Sequence, residues 1–111
     1  MTQPIDIVQR QLDAYNARDL DAFAACFHDD IQMQEIDATE PFADGMSALR
    51  EQFGDLFSRA PELHARLVNR IVQGLTVVDH ESVLGMGTED PVEAIAIYRV
   101  RDDKIAHVWF A

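Results

Sequence analysis

Glu35 is the residue whose type and setting point most directly to chemistry. It follows Ile31 and Met33 at intervals of two, so a strand over 31–36 carries all three on one face and Gln32, Gln34 and Ile36 on the other. A carboxyl on an apolar face loses solvation, its pKa climbs, and it becomes able to remove or deliver a proton near neutral pH. The alternative is a carboxylate that ends its strand in water or on a salt bridge.

Two phenols could orient a carbonyl or hydroxyl beside such an acid. Tyr15 follows Gln11 by four residues and shares its helical face, while Tyr98 shares its strand phase with Ala96. Both also read as core aromatics whose hydroxyls simply find partners. His80 is divided evenly: one face of its strand carries Val77, Asp79, Glu81 and Val83, the other Val78, His80, Ser82 and Leu84. Turned inward, His80 would pair with Glu35 as a proton shuttle. Turned outward, it is an exposed or interface histidine.

None of the four histidines, His28, His64, His80 and His107, has a second histidine or a cysteine at tight ligand spacing, so neither a metal nor a cofactor is expected. Glycine-rich phosphate loops and nucleophile elbows are absent from the sequence. Cys26 reads as a packed thiol, since neither neighbour is a base that would activate it.

The elements that must position these residues follow from periodicity. Ile5, Val8, Leu12 and Tyr15 mark a first helix; Asp19 caps a short second one with Leu20, Phe23, Ala24 and Phe27 on one face. After strand 31–36, residues 37–44 read as a polar loop, and Met46, Leu49, Phe53, Leu56 and Phe57 mark a third helix that Pro61 stops. The remainder is β in texture: 67–73, a turn near Gly74, 75–84, then 92–100 and 104–110 joined by Arg101-Asp102-Asp103. Helices segregated from strands mean an α+β fold. Both faces of the last two strands are apolar, and three helices cover only one, so Ile95, Ile97, His107 and Trp109 are expected to meet a second copy in a homodimer.

Composition sets the outer limits. The 111 residues suffice for one core, and 48% hydrophobic with 26% charged is ordinary for a globular chain. Nine basic against twenty acidic side chains give a net charge of −11, which disfavours nucleic acid and anionic membranes alike. An N-terminus without the basic start and apolar centre of a secretory signal, together with a single cysteine, leads to the expectation of a cytoplasmic protein.

The stretches Ile7 to Arg10, Tyr15 to Ala22, Phe27 to Asp30, Gly45 to Phe53, Ala96 to Val100 and Lys104 to Phe110 resemble the SnoaL-like and ketosteroid-isomerase-like branch of the nuclear transport factor 2-like superfamily. The resemblance implies a cystatin-like α+β roll: a cone-shaped, curved sheet, mixed or antiparallel, of about five strands wrapped around three helices and enclosing an apolar pocket. It places the isomerase's general-base aspartate on Glu35, its oxyanion-stabilising tyrosine on Gln11, and its protonated second acid on Ala96, so two of three parts are altered. Val108 falls inside, and Met33 and Phe53 complete the implied lining with Gln11, Tyr15, Ala96 and Tyr98. The function implied is isomerisation, cyclisation or dehydration of a small apolar molecule, with Glu35 and His80 moving protons. The rival is a non-catalytic ligand-binding or dimerisation domain of the same fold.

Overall fold

Pro4 opens the first helix at the position where its fixed φ helps and its missing N–H costs nothing. In this computed structural model, which describes residues 2–111, the order is α1 (Pro4–Ala17), α2 (Leu20–Ala24), β1 (Phe27–Glu35), β2 (Ala43–Asp44), α3 (Met46–Arg59), β3 (His64–Gln73), β4 (Thr76–Leu84), β5 (Val92–Arg101) and β6 (Lys104–Phe110). Gln3 and Asp6 form a reciprocal capping box at the start of α1. Arg18 ends that helix in the left-handed region, φ 54°, and its guanidinium donates to the Leu63 carbonyl at 2.7 Å. The Asn16 amide donates to the Ala65 carbonyl at 3.0 Å and accepts from the Ala65 N–H at 2.7 Å. These bonds tie the end of α1 to the beginning of β3.

The sheet runs β2-β1-β6-β5-β4-β3, with β1 and β6 parallel and every other pair antiparallel. It is thus mixed and six-stranded, one strand more than expected, because Ala43 and Asp44 pair with Met33 and Gln32 inside the segment read as loop. Phe27 belongs to β1 rather than to the second helix, and β3 begins at His64 rather than Leu67. The helices lie against one face of the curved sheet, as the α+β roll requires.

Two irregularities control which side chains face the helices. In β6, Arg99 pairs with His107 but Val100 with Ile105, leaving Ala106 as an extra residue. That bulge puts Ile105 and Val108, of opposite parity, both fully inside. In β3, Leu67 pairs with Glu81 and Asn69 with His80, so Val68 is the extra residue.

The buried apolar residues form one cluster. At its centre Phe23 meets Phe27 and Phe53 at ring separations of 4.8 Å, and Phe57 at 5.5 Å edge-on. Cys26 is packed within it; burial pushes the thiol up, which makes it less reactive.

Candidate functional site

Between that aromatic cluster and the strands lies a cavity of about 180 Å³, comparable to the roughly 150 Å³ that encloses benzene elsewhere. Its walls are Tyr15 from α1, Phe23 from α2, Phe27 and Met33 from β1, Phe53 from α3, Tyr98 from β5 and Phe110 from β6, with Met86 and Val92 toward the mouth. The only ionisable carboxyl on this lining is Glu81 of β4, and Gln11 of α1 supplies an amide.

The inward phase of β4 explains Glu81. Val77, Asp79, Glu81 and Val83 all face the helices, exposed by only 0, 0, 7 and 8%. Asp79 is neutralised: Arg70 of β3 donates from Nε to Oδ1 at 2.6 Å and from Nη2 to Oδ2 at 2.9 Å. The third arm, Nη1, donates to Gln9 Oε1 of α1 at 2.8 Å. The guanidinium is therefore committed before it can serve Glu81. Burial first, and the Asp79 charge second, push the Glu81 carboxyl up to about 7 against a weaker opposing pull from Arg70. At neutral pH the group stands ready in both protonation states.

The phenols are held in one state. Burial, helped by the Glu81 charge, raises Tyr15 to about 12, and buried Tyr98 is raised well above its ordinary value by the same causes. Both remain hydroxyl donors across the pH range in which Glu81 titrates. Gln11 is 5% exposed, and its Oε1 is buried without a hydrogen-bond partner. An unmatched buried acceptor of this kind costs about 1–3 kcal/mol unless a guest satisfies it.

The structure brings Gln11, Tyr15, Met33, Phe53 and Tyr98 together on this lining. Ala96 and Val108 are fully buried on the same side of the sheet but lie in the packed core instead of on the cavity wall. Glu35 does not enter the cavity. It shares the phase of Ile31 and Met33, yet it ends β1 opposite Phe110, beyond the last covering side chain, and is exposed. His80 points to the outer face, where its Nε2 lies 2.9 Å from Glu93 Oε1, so it cannot pair with Glu35 across the pocket. Sequence reasoning passed over Glu81 because the two faces of β4 carry equal numbers of apolar groups. The usable signal was the pairing of β4 with β5: Asp79 stands opposite Ala96, the position that the resemblance places inside, so Asp79 and Glu81 share the inner face.

Among the described residues no three His, Cys, Asp or Glu side chains converge as a metal ion would need, and no helix is long and apolar enough to cross a membrane.

A family model described as the SnoaL-like domain matches residues 8–108. An uncharacterised cystatin fold protein from Novosphingobium aromaticivorans superposes with a TM-score of 0.91 at 23% identity, covering 100% of this chain and 99% of that one. A SnoaL-like polyketide cyclase from Agrobacterium tumefaciens gives 0.80 at 18% identity over 100% and 91%. An NTF2-like protein of unknown function from Cytophaga hutchinsonii gives 0.79 at 12% identity over 100% and 90%. No curated protein sequence matches at a significant level. At these identities the likeness is one of fold.

Proposed function

From the premise that the chain belongs to the SnoaL-like domain family, we propose that it is an acid–base enzyme of the isomerase or cyclase type, acting without a cofactor on a small, largely apolar carbonyl compound, with Glu81 as the proton carrier. The observation that carries this reading is one tuned carboxyl, raised to about 7, on the wall of an aromatic cavity the size of a single ring. The Glu81 carboxylate removes a proton from the carbon next to the carbonyl; the C–H electron pair forms a C=C bond and the carbonyl π pair moves onto the oxygen. Tyr15 or Tyr98 donates a hydrogen bond to that oxygen, a donor already in place as the charge develops. Where the substrate carries a β,γ double bond, the resulting dienolate takes the proton back at its γ-carbon, the double bond moves into conjugation with the carbonyl, and the isomerisation is complete. Glu81 thereby takes the part that the sequence assigned to Glu35.

The chain is further proposed to act as a homodimer through the outer sheet face. Ile97 lies opposite both Val78 and Trp109, the His107 and Trp109 rings stack at 3.8 Å, and no helix covers them. A patch of this composition is typical of an interface.

The test of the catalytic reading is exchange of the α-protons of cyclohexanone in D₂O, followed by NMR. Exchange accelerated by the protein, lost in Glu81→Gln and kept in Glu35→Gln, is the expected outcome. Equal rates for wild type and Glu81→Gln would remove the proposal.

A further inference from the structure

Beside the Tyr15 and Tyr98 hydroxyls, which can donate, the cavity wall carries a buried acceptor without a hydrogen-bond partner. This is the Gln11 Oε1, at a side chain 5% exposed. Arg70, the nearest cation, has committed Nε and Nη2 to Asp79 and Nη1 to Gln9. The remaining wall is apolar, part aliphatic and part aromatic, and presents ring faces or edges from Tyr15, Phe23, Phe27, Phe53, Tyr98 and Phe110. A cavity with a carboxylate but no free counter-charge, an unmatched carbonyl oxygen and six rings fits a guest that donates hydrogen bonds, carries positive charge and has an apolar body.

We infer that this cavity binds a small protonated aralkyl amine, its ammonium group held by the Glu81 carboxylate and the Gln11 oxygen and its ring held among the aromatic side chains. The volume of about 180 Å³ admits one ring with a short amine arm. The net charge of −11 draws cations toward the protein before contact. Specificity follows from the same accounting: a neutral isostere of the amine leaves the carboxylate desolvated and unmatched, and is bound less well.

The groups facing Glu81 set its pH dependence. Asp79 on its own strand and burial oppose its ionisation, Arg70 on β3 favours it, and Tyr98 on β5 and Tyr15 on α1 stay neutral. An ammonium guest needs Glu81 ionised, so binding displaces one proton from Glu81, and affinity rises as pH rises through the carboxyl's midpoint near 7.

The experiment is calorimetric titration of the full chain with benzylamine and, separately, benzyl alcohol at pH 6 and pH 8, benzylamine being protonated at both. The expected result is benzylamine binding about tenfold tighter at pH 8 than at pH 6, as a carboxyl with a midpoint near 7 requires. Benzyl alcohol should bind at least about tenfold more weakly at pH 8, a difference of about 1.4 kcal/mol. Glu81→Gln should abolish the preference for the amine. Equal affinity for the two probes, or benzylamine affinity independent of pH in the wild-type chain, overturns the inference without reliance on any variant. Cyclohexanone exchange separates the two ideas: if exchange persists while benzylamine fails to bind, the amine site falls and the proposed activity stands.

Discussion

Arg70 holds Asp79 in a two-point grip across the β3–β4 hairpin, and this pairing leaves Glu81, two residues further along the same face, without a cation of its own. Removing the guanidinium would strand a fully buried charge. Arg70→Ala is expected to cost about 3–5 kcal/mol in urea unfolding, the usual penalty for breaking a buried pair from one side.

The opposite half of the pair tests the electrostatics. Asp79→Asn removes the negative charge beside Glu81 and frees Arg70 to interact with it, and both changes favour the ionised carboxyl. The Glu81 midpoint, followed by side-chain carboxyl NMR, should fall below about 7. No movement would mean that burial alone sets the value.

Glu81 also imposes a pH dependence on stability. Its folded pKa of about 7 lies above its ordinary 4.5, so the folded state binds one more proton than the unfolded state between those values. Stability from this group is fully present below 4.5 and declines as pH rises through about 7, a loss on the order of 3 kcal/mol. Glu81→Gln, which carries no charge, should therefore exceed the wild type in urea resistance at pH 8 and match it more closely at pH 5.

Phe23 joins the helices to the cavity, in ring contact with Tyr15, Phe27, Phe53 and Phe57. Phe23→Ala should lower stability by about 3–5 kcal/mol, as large-to-small changes in a packed core do. Calorimetric melting measures it directly.

The outer face supplies a prediction about assembly. Sedimentation should show a dimer in the wild type and a monomer in Ile97→Glu, which sets a charge among Val78, Trp109 and their copies. A monomeric wild type would refute the interface.

The three helices, the segregated order and the inward turn of Tyr15 and Met33 were legible in the spacing of apolar residues, whereas that of Tyr98 came from its phase with Ala96, which the family resemblance places inside. Phe27 was misassigned because it stands four residues after Phe23, a spacing that suits a helix, although it is also the first inward residue of β1. Ala43-Asp44 is too short to show any period. Glu35 illustrates a different limit: alternation tells which face a side chain shares, but not how far the neighbouring cover extends along that face. Glu81 needed the partner strand, since the tie between the two sides of β4 is broken by its register with β5, where Asp79 lies opposite Ala96 and Val77 opposite Tyr98.

The parallel pairing of β1 with β6, with Phe27 beside Ile105 and Met33 beside Val108, has a consequence for biosynthesis. The middle of the sheet joins an early segment to a late one, so β1 must wait on the ribosome with an unmatched edge until residues 104–110 emerge. The helices can condense earlier around Phe23, but the cavity acquires its far wall, Phe110, only when β6 docks. Folding should accordingly end with closure of this long-range seam, and the nascent chain is most exposed to misassociation just before it.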